Sequence, residues 1–179
     1  MSSEAASLIS ALVARGATVA TAESLTGGLV CAALTAVPGA SAVVRGGLVS
    51  YAVSAKADVL GVDPGLLERQ GAVDPAVAVQ MAIGARRLLA SDFAIATTGS
   101  AGPDPDPGGA VTGPVSPGRG FVAVAGPEGE VVAGFACEGV DREGVRHAAV
   151  EAALELLSRV LAGTGDDGRS APGAGSVEA

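Results

Sequence analysis

The stretch ATVATAESLTGGLVCAALTAVPG, residues 17–39, holds a strand, a turn and a helix in succession, and that order decides the fold. Residues 17–22 are a short run of Ala, Val and Thr, which predicts a buried strand. Glu23-Ser24-Leu25-Thr26-Gly27-Gly28 is the turn out of it. Residues 29–37 continue as a helix, and Pro38-Gly39 stops it.

The flanking segments extend this pattern. Upstream, residues 2–15 space Leu8, Leu12 and Val13 as in an amphipathic helix closed by Gly16. Downstream, residues 42–51 predict a second strand and residues 54–60 a short helix with Ser54 able to cap its start. Residues 64–70 predict another helical turn, stopped by Gly71. Asp74 as N-cap and Pro75 at the first helical position open the strongest helix, which runs to about residue 90. Residues 93–98 are a third strand, ending in Gly99-Ser100-Ala101-Gly102-Pro103. The Pro-, Gly- and Asp-rich segment 104–117 has no periodicity and reads as a mobile surface loop. Residues 120–125 and 131–137 form a hairpin around Pro127-Glu128-Gly129. Asp141 starts a last, long helix with Val145, Ala149, Ala153, Leu156, Leu157 and Leu161 at helical spacing. Strand, helix, strand, helix implies a sheet covered on both faces, and the late hairpin makes that sheet mixed. Residues 1–162 are then one domain, and the Gly-, Ser-, Asp- and Ala-rich residues 163–179 a disordered tail.

Composition narrows the function classes. The 179 residues carry a net charge of −8, and the arginines are scattered. A nucleic-acid footprint would need a basic stripe, so no nucleic-acid partner is expected. No apolar run is long enough for a membrane span, and residues 1–10 lack the basic start of a signal peptide. Cys31 and Cys137 read as buried free thiols, which suit a reducing cytoplasm. His147 is the single histidine, so neither a His-based metal site nor a His triad is expected. Of the 11 Lys and Arg residues, Lys56 is the lone lysine. Arg replaces Lys wherever charge alone is needed but cannot serve where a proton must leave. That flags Lys56, although a single lysine surviving by chance is about as good an explanation on composition alone.

Three strand ends carry residues that can do chemistry. In the first, Ser24 lies where the backbone N–H groups of the coming helix turn can face a ligand, with Glu23, Thr26, Gly27 and Gly28 beside it. A plain capping turn is the commoner use of such a string. In the second, the sole tyrosine, Tyr51, precedes Lys56 on the first turn of the next helix. A partly desolvated lysine near a helix N-terminus has its ammonium form disfavoured and can act as a base toward serine. In the third, Thr98, Gly99, Ser100, Ala101 and Gly102 can line the same crevice. Arg142 and Arg146 lie four apart on one face of the last helix, where they can clamp a phosphate or pair with acidic neighbours.

Together these strings resemble the CinA C-terminal domain family, the nicotinamide-nucleotide amidohydrolases. The likeness is carried by Ala22 to Gly28, Tyr51 with Lys56, Gly71-Ala72-Val73, Met81-Ala82-Ile83-Gly84-Ala85, Thr98 to Pro103, and Asp141-Arg142 with Val145-Arg146, in order over residues 8–161. It implies a three-layer α/β/α sandwich with a mixed, mostly parallel sheet of about five strands, one antiparallel. It also implies hydrolysis of the carboxamide of nicotinamide mononucleotide to nicotinate mononucleotide and ammonia, without metal or organic cofactor. By position Ser24 matches the nucleophile, Lys56 the base and Tyr51 the assisting hydroxyl. Asp74, Val140 and Arg119 depart from the usual Ser, Gly and Thr, which bears on substrate affinity rather than on the trio. Some family members carry a larger N-terminal domain; this chain is expected to be a stand-alone form, and an exposed aliphatic helix face would allow a homodimer. The competing expectation is a non-catalytic nucleotide-binding module linked to competence or DNA repair. A third is an amidase whose substrate is not a nucleotide.

Overall fold

A computed structural model describes residues 3–163, so all but the first residue of the expected tail lies outside the described residues. The elements are α1 (Ser3–Arg15), β1 (Val19–Glu23), α2 (Leu29–Thr35), a 3-10 turn (Ala40–Ala42), β2 (Val44–Val49), α3 (Val53–Asp58), α4 (Pro64–Gln70), α5 (Pro75–Leu88), β3 (Phe93–Ser100), β4 (Arg119–Gly126), β5 (Gly129–Ala136) and α6 (Arg142–Leu161). They build one five-stranded sheet in the order β2-β1-β3-β4-β5. β1 pairs parallel with both β2 and β3, while β3–β4 and β4–β5 are antiparallel. Only β4 therefore runs against the rest, as the hairpin requires.

Alternation along the strands sends different side chains to the two faces. Val19, Ile95, Val122 and Val124 point to one face, where Leu8 and Leu12 of α1, Leu34 of α2 and Leu154 and Leu157 of α6 cover them. The opposite face is almost entirely alanine: Ala20, Ala22, Ala94, Ala96, Ala123 and Ala125 meet Ala78, Met81, Ala82 and Ala85 of α5. Small side chains on both partners let α5 lie close to the sheet, and α5 is itself pressed from outside. A Cβ on Gly84 would sit 2.0 Å from the Leu60 carbonyl oxygen. Helices on both faces give the expected three layers.

The connections place the site. From β1 the chain crosses to β2 through α2, then returns over the other face through α5 to β3 on the far side of β1. The strand order thus reverses at β1, and in open α/β sheets the crevice beyond the carboxyl ends of such strands holds the ligand.

Several local expectations are corrected. The second helix stops at Thr35 because Pro38 disfavours helical backbone in Val37, and Gly39, at φ 90°, leads into the 3-10 turn instead of a strand. Ser54 does not cap α3: Ala52 holds the N-cap position with extended backbone and no side-chain bond, which moves Lys56 from the first turn to the last. Segment 104–117, expected to be mobile, is pinned. Asp106 and Val115 exchange backbone hydrogen bonds of 3.0 and 2.9 Å. Ala110 N, Val111 N and the Thr112 hydroxyl donate to the carbonyls of Glu68, Arg69 and Gln70, at 3.0, 2.8 and 2.7 Å. Those are the terminal carbonyls that a helix leaves without partners. The close approach needs glycine on both sides, since a Cβ on Gly71 would meet the Gly108 backbone at 2.5 Å. Cys31 and Cys137 are free, as expected, but half-buried.

Candidate active site

The turn after β1 is organised by Glu23. This side chain is 1 % exposed, and its carboxylate accepts hydrogen bonds from the backbone N–H groups of Gly28, Val30 and Cys31 at 2.9, 3.0 and 2.8 Å. The hydroxyls of Thr26 and Thr21 add two more at 2.7 and 3.2 Å. An acid at the strand end thus reaches forward to satisfy the first N–H groups of α2, whose N-cap Gly28 sits at φ 100° and has no side chain to do so. Thr26 is held in turn by Thr97 of β3, at 2.8 Å. Arg146 closes the turn from α6, donating to the carbonyls of Leu25 and Thr26 at 3.1 and 2.9 Å.

Ser24 is fixed by this frame. Its N–H donates to Thr97 O at 3.0 Å, and Ser50 N donates to Glu23 O at 2.9 Å, so the parallel ladder runs one step past β1 on both sides. Across from it, Lys56 is 1 % exposed. Its Nζ lies 3.0 Å from Ser24 Oγ, 2.7 Å from Ser50 O and 3.4 Å from Tyr51 O. Among the described residues no carboxylate lies within 4.0 Å of it. Burial lowers its pKa to about 8, against a smaller opposing pull from Asp106. A desolvated lysine without a counter-ion, beside a serine hydroxyl, is a base–nucleophile pair.

Both side chains open onto a cleft of about 270 Å³. Its walls come from Thr98 to Gly102 at the end of β3, from Tyr51, from Arg142, and from Asp104 and Asp106 of the pinned loop. Arg142 donates to the Tyr51 hydroxyl at 2.8 Å and to the Gly102 carbonyl, bridging two walls. Asp141 starts α6 as its N-cap, accepting from Gly144 N at 2.8 Å, and Arg142 on the first turn reaches the crevice.

The structure brings the three strand ends and the start of α6 to one crevice, but not every expected residue lines it. Glu23, Thr26, Gly27, Gly28 and Arg146 do not line the cleft. The N–H groups expected to face a ligand from Gly28 onward are taken by Glu23, and the Arg146 guanidinium by the turn carbonyls. The Tyr51 phenol meets Arg142 rather than Lys56; only its carbonyl touches the amine. Asp104 and Asp106 were missed. Their signal was the alternation Pro103-Asp104-Pro105-Asp106-Pro107 directly after a strand end, where the prolines stiffen the backbone that carries the acids.

The model of the CinA C-terminal domain matches residues 1–161. The chain belongs to that family. It is 44% identical over 147 residues to the nicotinamide-nucleotide amidohydrolase PncC of Escherichia coli, covering 82% of this chain and 86% of that protein. It is 49% identical over 152 residues to a CinA-like protein of Frankia casuarinae, covering 85% of this chain but 34% of that one. The chain thus spans about a third of the length of its CinA-like relatives. Among solved structures, the competence/damage-inducible protein CihA of Agrobacterium tumefaciens superposes with a TM-score of 0.80 at 39% identity, over 89% of this chain and 93% of that one. The CinA superfamily protein of Klebsiella pneumoniae gives 0.81 at 33% identity, over 89% and 96%. Among the described residues no helix is long and apolar enough to cross a membrane.

Proposed function

We propose that the cleft hydrolyses the carboxamide of nicotinamide mononucleotide, giving nicotinate mononucleotide and ammonia. The observation that carries this is the 3.0 Å contact between Ser24 Oγ and a buried Lys56 amine that has no carboxylate within 4.0 Å among the described residues. The name of the Escherichia coli relative supports the amide class.

In the scheme, neutral Lys56 takes the Ser24 proton as Oγ attacks the carboxamide carbon. The oxyanion is held by backbone N–H groups of the Gly99 to Ala101 segment, since those of α2 are engaged with Glu23. Lys56 then gives its proton to the departing nitrogen, and ammonia leaves an acyl ester on Ser24. Water, deprotonated by the same amine, releases the acid and restores the serine. Arg142 binds the phosphate, and Tyr51 orients it. Ser50 O and Tyr51 O fix the Nζ toward Ser24 throughout.

Ammonia release from the mononucleotide tests the scheme, with Ser24→Ala and Lys56→Ala beside the unaltered chain. Release at an undiminished rate by either variant would sink it. Tight nucleotide binding with no turnover at any pH between 6 and 10 would favour a binding module instead.

A further inference from the structure

The cleft carries an acid that the Ser24–Lys56 chemistry does not use. Asp106 lines the cleft, is half-buried, and has no ion-pair partner among the described residues. Its position is set before any ligand arrives. Pro105 and Pro107 flank it, its backbone is bridged to Val115, and one carboxylate oxygen accepts from Gly108 N at 2.9 Å. The following glycines are locked against Gly71 at the end of α4. This carboxylate is thus held in place in the cleft wall, and the one cation it acts on there, Lys56, meets it only at long range.

The alternative means of holding a cationic ring is scarce here. The sequence has no Trp, and Tyr51, the one aromatic side chain lining the cleft, has its hydroxyl committed to Arg142. The charged side chains lining the cleft are Lys56 beside Ser24, the acids Asp104 and Asp106 in one wall, and the Arg142 guanidinium on the more exposed side. That arrangement suits a ligand with a positive ring and a negative substituent.

We propose that Asp106 is a specificity-determining residue, selecting amides borne on a cationic, N-substituted pyridinium ring over those on a neutral ring. This rests on the amidohydrolase reading above. The carboxylate faces the ring while the carboxamide meets Ser24, and its charge interacts with the permanent charge of the ring in both ground and transition states. Asp104 lines the same wall but is exposed, so solvent screens its contribution.

The experiment compares nicotinamide mononucleotide with its 1,4-dihydro form, which keeps the carboxamide, ribose and phosphate and loses the ring charge. The quantity read is the ratio of kcat/KM for the two, in the unaltered chain, Asp106→Asn and Asp104→Asn. An Asn at 106 still accepts from Gly108 N, so the turn persists. Any effect of the substitution on Lys56 acts on both substrates and cancels in the ratio, as does any general loss of fold. The ratio should fall about tenfold in Asp106→Asn, as for one partly screened charge pair, and about twofold or less in Asp104→Asn. An unchanged ratio in Asp106→Asn with both compounds still hydrolysed overturns the charge assignment alone. If the unaltered chain releases ammonia from neither compound, the amidohydrolase reading itself falls and takes this one with it.

Discussion

Two ionisable side chains are buried beside Ser24, its chain neighbour Glu23 and its hydrogen-bond partner Lys56, and they are treated in opposite ways. The Glu23 carboxylate receives five hydrogen bonds, three of them from the backbone N–H groups that start α2. The Lys56 amine donates to a hydroxyl and two carbonyls and, among the described residues, meets no acid within 4.0 Å. Donors around an acid lower its energy where it sits, so Glu23 is spent on building the turn. A cation stripped of water and given only neutral acceptors is held at a cost, and the cost is relieved by losing a proton. On the proposed reading, the acid side of the turn is therefore architecture and the base side chemistry.

The sharpest way to break this contrast is to exchange the two losses. Lys56→Met should cut ammonia release by about a thousandfold or more while the chain stays folded, since general-base and nucleophile activation are together worth at least that. Glu23→Gln should leave the turnover of whatever protein remains folded within about tenfold, and lower stability instead, because an amide nitrogen must now face backbone donors. Steady-state assays on both variants, normalised to folded protein by circular dichroism, decide it. Equal loss of turnover in the two would erase the distinction.

Removing the acid altogether gives the next effect in size. Glu23→Leu leaves the Gly28, Val30 and Cys31 N–H groups buried without partners, at roughly 1–3 kcal/mol each, so a destabilisation of about 4 kcal/mol is expected after relaxation. Urea unfolding measures it, and a change under about 1 kcal/mol would mean that solvent reaches those groups.

How much of this contrast was legible beforehand follows from what each residue depends on. Strand β1, the breaks at Gly16 and Gly71, the Asp74–Pro75 helix start and the hairpin are local, and local chemistry wrote them into the sequence. Lys56 was visible because a lone lysine among arginines needs no structure to notice. The bonds of Glu23 were not legible, because its backbone donors come from residues five to eight positions ahead, folded back by a turn that Arg146, far along the chain, closes. The loop carrying Asp106 was read as mobile for a related reason. Its partners are the last carbonyls of α4, and no periodicity within the loop announces them.

The penalty on Lys56 has a sign and a pH window. Its pKa falls from 10.5 to about 8 on folding, so between those values the unfolded chain binds more protons and stability rises with pH. The cost is fully present below about 8 and gone above about 10.5. It amounts to roughly 3 kcal/mol at 1.36 per unit. Lys56→Met removes that cost but strands the Ser50 carbonyl, which leaves a net gain of about 2 kcal/mol at pH 7. The gain should shrink as pH is raised from 8 toward 10.5 in paired urea titrations, and a constant difference would mean that the amine is hydrated after all. If Lys56 is the base, kcat/KM should rise about tenfold per unit of pH up to about 8 and level off above it. A profile flat from pH 6 to 9 would remove Lys56 as the base.

The two arginines of α6 repeat the contrast at smaller amplitude and so sharpen it. Arg146 donates to the Leu25 and Thr26 carbonyls, on the side of the turn that Glu23 builds, and does not line the cleft. Arg142 lines the cleft and bridges Tyr51 and Gly102 across it. If one side is architecture and the other chemistry, Arg146→Ala should lower stability by about 1–2 kcal/mol through two lost charge-assisted bonds and leave KM nearly unchanged. Arg142→Ala should raise KM for the mononucleotide about tenfold, the worth of one exposed contact to a phosphate, with little effect on stability. Its KM for the corresponding riboside, which has no phosphate, should move by less than about twofold, since the lost guanidinium has no anion to meet there. A riboside KM that rises as far as the mononucleotide's would show that Arg142 acts by holding Tyr51 and Gly102 in place, and would put it on the architectural side with Arg146.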